Sequence, residues 1–233
     1  MGLLVALRQA RPQALILALA LVAACARSAG ATERFEATSR HDFADVEHWT
    51  RVFDDPERDS WQRPDEITGA LSLELGMTVV DLGAGTGYFE RRLSHAVGPT
   101  GSVFAVETEP NLVAHLRARA EHEATANVIP VLASFDNPRV PSGAADRILL
   151  VDTYHHIDDR LGYFRRLKLA LRPAGRILIV DWKKQEQPVG PKPPHKLARQ
   201  QVIGEMTEAG YALDGEPVEL PYHYALIFSP RSD

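Results

Sequence analysis

From Gly76 onward the chain alternates short apolar runs with amphipathic stretches, and this rhythm limits the folds open to it more than any other feature. Residues 77–82 (MTVVDL) predict a buried strand, 87–96 a helix and 101–107 (GSVFAVE) a second strand. Residues 110–123 follow as a helix with Leu112, Val113 and Leu116 on one face. Third and fourth strands are predicted at 128–132 and 145–151 (ADRILLV). A helix over 159–171 runs into the stop Arg172-Pro173-Ala174-Gly175, and a fifth strand occupies 175–181 (GRILIVD). Strands that alternate with helices imply a doubly wound α/β fold, a parallel sheet with helices on both faces. Beyond it lie a Pro-rich loop at 187–194 and a helix from about 195 to 209. Strand-like runs at 211–216 and 222–228 are close enough for a terminal hairpin.

The other end of the chain reads differently. Arg8 and Arg11 precede ALILALALVAA at 14–24, a positive segment followed by an apolar one of signal-peptide length. It falls short of the roughly 20 apolar residues that span a bilayer as a helix. The run closes on Val22-Ala23-Ala24-Cys25, which resembles a bacterial lipobox and uses the only cysteine of 233 residues. Residues 1–25 are therefore expected to be an export signal. Acylated Cys25 would tether the chain to a membrane, while Ala24, Ala26, Ala29 and Ala31 equally permit ordinary cleavage. The expected location is the bacterial envelope, periplasmic or lipoprotein-anchored. Residues 26–38 read as a linker. A single cysteine excludes an intramolecular disulfide and a cysteine-based zinc site.

Charge narrows the partners. The chain carries 26 basic and 31 acidic residues, and losing Arg8 and Arg11 with residues 1–24 leaves a net charge near −7. Nucleic-acid binders neutralise phosphates with Lys and Arg, so this balance argues against such a partner and for a small-molecule ligand. Residues 39–75 precede the first strand and contain FDDPERDSWQRP at 53–64, a polar stretch with aromatic side chains and turn signals. It is expected to form a helical cap or lid, with Trp61 and Gln62 over the ligand.

Asp81-Leu82-Gly83-Ala84-Gly85-Thr86-Gly87 joins the first strand to the first helix. Ligands of open α/β sheets lie beyond the carboxyl ends of the strands, and glycines there let backbone approach closely. The dinucleotide fingerprint is G-x-G-x-x-G, feeding a pyrophosphate into a helix N-terminus. Here the spacing is G-x-G-x-G, with Asp81 two residues before the first glycine. That carboxylate would repel a pyrophosphate and would suit an ammonium group. S-adenosylmethionine has one and carries no phosphate. Glu107 ends the second strand twenty residues beyond Gly87, where an acid can accept both ribose hydroxyls.

DLGAGTGYF, VFAVE and GRILIVDW together resemble the class I S-adenosylmethionine-dependent methyltransferase family over about residues 65–229. The resemblance implies a Rossmann-like sheet of seven strands with an antiparallel last strand, over a methyltransferase domain at 76–233. It implies that the Gly83–Gly87 turn, with Ala84 in it, wraps the methionine and ribose. Tyr88 would contact the methionine tail and Glu107 the ribose. FDDPERDSWQRPDE is similar to a subgroup of small bacterial methyltransferases with export signals. The family often places an aspartate after the third strand, on the adenine amine; here either Ser134 or Asp136 can serve.

The fourth strand ends in Asp152-Thr153-Tyr154-His155-His156, which the resemblance puts beside the cofactor's methyl group. Asp152 joins the cofactor-binding candidates. His155, His156 and Tyr154 are the catalytic candidates, a histidine being suited to act as a base near neutral pH. Asp181 and Trp182 end the fifth strand at the same edge. No metal is expected, since the spacing matches no standard ligand set. The rival readings are an exported protein that binds S-adenosylmethionine or a nucleoside without transfer, and an NAD-dependent oxidoreductase.

Overall fold

A computed structural model describes residues 35–39 and 42–231. The expected export signal, Cys25 and residues 26–34 of the linker lie outside the described residues. Contacts separate Met1–Glu36 from Ala37–Asp233; of the former, only Phe35 and Glu36 are described, and the latter carries the fold. Among the described residues no helix is long and apolar enough to cross a membrane.

Three helices come first: α1 (Val46–Phe53), α2 (Arg58–Gln62) and α3 (Pro64–Ala70). The alternating part follows as β1 (Thr78–Leu82), α4 (Glu90–Val97), β2 (Ser102–Glu107), α5 (Pro110–His122), β3 (Val128–Leu132) and β4 (Ala145–Val151). It continues through α6 (Arg160–Leu167), β5 (Leu171–Trp182), α7 (Arg199–Glu208), β6 (Tyr211–Gly215) and β7 (His223–Pro230). The seven strands lie in the order β3-β2-β1-β4-β5-β7-β6. β1, β2, β3, β4 and β5 are parallel, and β7 runs against both β5 and β6. The sheet is thus the expected Rossmann-like one, with the terminal hairpin forming its far edge.

Burial on both faces explains why these strands read as near-continuous apolar runs. One face buries Ile148, Leu150, Ile177 and Ile179 against Phe164 and Leu167 of α6 and Val202 and Met206 of α7. The neighbouring residues Leu149, Leu178 and Val180 point to the other face, against Leu93 and Val97 of α4 and Leu116 of α5. Ile67 of α3 and the adjoining Leu71 are wholly buried on that second face, so the core holds the end of the N-terminal helical segment. Each such side chain contributes about 1.5–3 kcal/mol. α1, in contrast, has no buried residue.

Among the boundaries that differ from the sequence pattern, two have clear physical reasons. α4 starts at Glu90 rather than 87, because Gly87 sits at φ +94°, outside helical space. β5 starts at Leu171 rather than 175. Leu171 pairs with Ala145 and Arg176 with Arg147, so the Pro-containing stretch between them is accommodated as an irregularity in the ladder.

Candidate active site

The carboxyl ends of β1, β2, β4 and β5 open on one cavity of about 1710 Å³. Its floor is the glycine turn. The backbone N–H groups of Gly83 and Ala84 both donate to the Val106 carbonyl, at 2.9 and 3.1 Å. This pins the turn to the end of β2. Gly83 has φ +82°, and a Cβ there would lie 2.3 Å from Thr153 Oγ1 beyond β4. Only glycine fits between these two strand ends.

Three carboxyl groups surround the turn. Glu107 accepts from Gly85 N at 3.0 Å through Oε2, and from Thr108 N at 2.6 Å and Glu109 N at 3.2 Å through Oε1. These bonds fix the orientation of its carboxylate. Asp81 is 3 % exposed. Burial pushes its pKa up to about 7, the Glu107 charge adding to the rise while a hydrogen bond with Glu90 and the Arg58 charge oppose it. Glu90, also buried, is raised well above the ordinary range, by burial first and by Asp81 second. A backbone hydrogen bond and the Arg119 charge oppose that rise.

The FDDPERDSWQRP stretch folds down onto this turn. Asp54 accepts from Thr86 Oγ1 at 3.1 Å and from Arg119 Nη1 at 2.7 Å. Asp59 accepts from the Tyr88 hydroxyl and pairs with Arg92 at 3.1 Å. Arg58 is buried; its guanidinium lies 4.1 Å from the centre of the Tyr88 ring, donates to the Phe53 carbonyl at 2.8 Å and approaches Asp152 at 3.6 Å. Gln62 lies behind it, wholly buried, accepting from Arg58 Nε at 3.3 Å. Trp61 faces the cavity and stacks on His223, with ring centroids 5.9 Å apart and planes 11° from parallel.

The loop after β4 supplies the opposite wall. Asp152 takes the left-handed conformation, φ +56°, a strained state for a non-glycine residue that recurs at functional sites. Its Oδ1 is 2.8 Å from His223 Nε2, a close contact whose geometry is not that of a hydrogen bond. His155 Nδ1 lies 2.9 and 3.0 Å from the two oxygens of Asp181, at the end of β5. Asp181 also accepts from the backbone of His155 at 3.2 Å and of Trp182 at 2.7 Å. Burial of the imidazole works against its protonated form, but the Asp181 charge, the hydrogen bond to Asp181 and the Asp152 charge together outweigh this and raise the His155 pKa; Asp181 is lowered in turn despite its own burial. His156 packs on His155 at 4.1 Å between ring centroids, with Nδ1 2.9 Å from the Ser39 carbonyl.

Asp81, Gly83, Ala84, Gly85, Tyr88, Glu107, Ser134, Asp152, His155, His156 and Trp61 all line this one cavity. Gly87, Gln62, Tyr154 and Asp136 do not. A Cβ on Gly87 would meet Leu116 and Arg119 of α5. Tyr154 turns into the core, where its hydroxyl donates to Glu205 at 2.9 Å. Asp136 is exposed and accepts from Ser134 Oγ at 2.8 Å, so of these two only Ser134 is at the wall. Sequence reasoning missed Arg58 and Glu90, and placed Asp181 at the ligand edge without giving it a role. The position of Asp181, an acid closing a parallel strand at the ligand edge, was the available signal. Among the described residues no group of three or more His, Cys, Asp or Glu side chains is placed to hold a metal ion.

Residues 57–209 match a family model described as a methyltransferase domain. The chain is similar to a solved S-adenosylmethionine-dependent methyltransferase from Aquifex aeolicus: 26% identity, 81% of this chain and 98% of that one, TM-score 0.76. It is 33% identical over 109 residues to a protein-L-isoaspartate O-methyltransferase of Methanothrix thermoacetophila, covering 47% of this chain and 49% of the relative. It is 25% identical over 118 residues to a ubiquinone/menaquinone biosynthesis C-methyltransferase of Hahella chejuensis, covering 50% and 47%. The matches span about half the length of these two curated relatives. A family match across more than half of the chain, on this sheet and this glycine turn, carries the assignment: the chain belongs to the class I S-adenosylmethionine-dependent methyltransferases.

Proposed function

We propose that this chain moves a methyl group from S-adenosylmethionine to a small-molecule acceptor held in the same cavity. The observation that carries this reading is the distribution of charge around the glycine turn. Arg58 and Asp81 lie within electrostatic reach of each other, and Arg58 approaches Asp152 at 3.6 Å. A guanidinium beside two carboxyls suits the carboxylate and ammonium of one amino-acid tail. Glu107, at the end of the neighbouring strand, suits a diol. Ala133, Leu112 and Pro110 line the cavity beyond it and suit an apolar base edge. The turn itself carries no Lys or Arg for a phosphate.

When bound, the cofactor supplies an electrophilic methyl group on a sulfonium with an excellent leaving group. What remains for the protein is placement and exclusion of water. Glu107 and the Gly83–Gly87 backbone hold one end, and Arg58, Asp81 and Tyr88 hold the other. A pocket for one drug-sized ligand is roughly 300–1,000 Å³, and this cavity of about 1710 Å³ leaves space for a second molecule. The acceptor side runs from His155 and His156 to Trp61 and to Phe43, Trp49 and Phe53 of the cap.

Calorimetric titration of the purified chain with S-adenosylmethionine and with NAD tests the cofactor half of the proposal. Saturable binding of the first and none of the second is expected. Tighter binding of NAD would overturn it and return the oxidoreductase reading.

A further inference from the structure

We infer that the methyl acceptor is a neutral aromatic hydroxyl compound, a phenol or catechol, and that His155 Nε2 takes its proton. The inference rests on the methyl-transfer reading above. It comes from two features that meet at one point of the cavity wall.

The first is the wiring of His155. Asp181 holds Nδ1 with both carboxylate oxygens, at 2.9 and 3.0 Å, and is itself fixed by two backbone N–H groups. That fixes the tautomer with the proton on Nδ1 and leaves the lone pair on Nε2. Among the described residues the ring's hydrogen bonds run through Nδ1, and His155 lines the cavity. His156 instead holds its Nδ1 2.9 Å from the Ser39 carbonyl. The other charged groups facing the pair are Asp152 after β4, Arg160 of α6, and, around Asp181, His223 of β7 and Lys196 before α7.

The second is a continuous aromatic wall that ends at this imidazole. Ring centroids step from Phe53 to Trp49 at 5.0 Å, to Phe43 at 4.7 Å, to His156 at 5.7 Å and to His155 at 4.1 Å. A planar apolar ring can lie along such a wall with its polar edge at His155. The aromatic wall selects the kind of hydroxyl, and an imidazole takes a proton more readily from a group like tyrosine's, with pKa about 10, than from an alkanol. Asp42, Asp55, Glu57 and Asp158 on the cavity walls disfavour an acceptor that arrives as an anion.

In the step, the acceptor O–H bond breaks, its proton passes to Nε2 and the electron pair stays on oxygen. Asp181 balances the imidazolium that forms. The oxygen then uses its pair to bond the methyl carbon supplied by the bound cofactor, while the carbon–sulfur pair returns to sulfur. The product is a methyl ether, and the imidazolium loses its proton to water. Asp181 is a positioning residue in this scheme.

Nitrocatechol, whose visible absorbance reports its ionisation, tests this without turnover. It is titrated with pH on the full chain held with S-adenosylhomocysteine. The wild type is expected to bind the probe and ionise it at lower pH than in free solution. His155→Gln is expected to bind it and lose that shift, and Asp181→Asn to retain part of it. S-adenosylhomocysteine bound with the probe unbound, or with the probe bound and its ionisation unmoved, overturns the acceptor assignment and leaves methyl transfer standing. Failure of the analogue itself to bind overturns both. Methyl transfer to naphthylamine in preference to naphthol also overturns the assignment.

Discussion

Glu90, in the first turn of α4, meets Asp81, at the end of β1, as a pair of carboxyl groups shielded from water. Between them they hold a proton near neutral pH, with the Asp81 pKa at about 7. A cofactor ammonium favours the ionised form of Asp81. Affinity for S-adenosylmethionine should therefore climb as pH rises from 6 to 8 and then level off, with protons released on binding. Calorimetry in buffers of different ionisation enthalpy reads that release. Affinity that does not change across this window would contradict the role given to Asp81.

The same pair affects stability with a definite sign. A carboxyl whose folded pKa lies above its unfolded value favours the native state when protonated. That contribution is complete below the ordinary value of 3.8 and is lost as pH rises through about 7. Glu90→Gln removes one of the two acids and can donate to Asp81. It should raise Tm at pH 8 and do less at pH 5. The gain is on the order of 1 kcal/mol, one pKa unit being about 1.4 kcal/mol. A variant less stable than wild type at pH 8 would count against the pairing.

Tyr154 offers a contrast between core and chemistry. Its hydroxyl shares Glu205 with Arg160, whose guanidinium grips the carboxylate at 2.7 and 3.2 Å. Arg160 and Glu205 are each 1 % exposed. Glu205→Ala takes the carboxylate away from a buried guanidinium and should cost about 3–5 kcal/mol in denaturant unfolding. Tyr154→Phe should cost only about 1 kcal/mol and leave cofactor affinity unchanged. A large loss of affinity in Tyr154→Phe with stability intact would place this tyrosine back in the site.

The difference between what the sequence told and what it hid lies in range. Strand β1, the glycine bend and Glu107 are local patterns, set by apolar runs and residues that tolerate unusual backbone angles. Gly83 could be read as a close approach, but its neighbour Thr153 lies seventy residues on and needed the β1–β4 pairing. His155 meets Asp181 only because β4 lies beside β5. Tyr154 looked like a cavity residue from its place next to two histidines. The short 3₁₀ turn at Tyr154–His156 instead directs it inward and leaves both histidines at the wall. Arg58 and Glu90 stand among other charged residues, and nothing in spacing distinguishes a buried one from its solvated neighbours.

We also propose, from residues 1–25 alone, that the chain is exported and that Cys25 is its acylation site. Cell fractionation of the full chain should place the wild type with membranes and Cys25→Ser in the soluble envelope fraction. A Cys25→Ser protein that still sediments with membranes would contradict acylation.

The most direct test of the cofactor site compares two ligands that differ in one end. S-adenosylmethionine has an amino-acid tail; methylthioadenosine keeps the ribose and base and lacks it. Calorimetry should show Asp81→Asn weakening the first by about 1–3 kcal/mol, the usual cost of a lost charge-assisted hydrogen bond, while leaving the second unchanged. Glu107→Gln should weaken both. Equal affinities for S-adenosylmethionine in all three proteins, or a loss in Asp81→Asn that methylthioadenosine shares in full, would contradict the account.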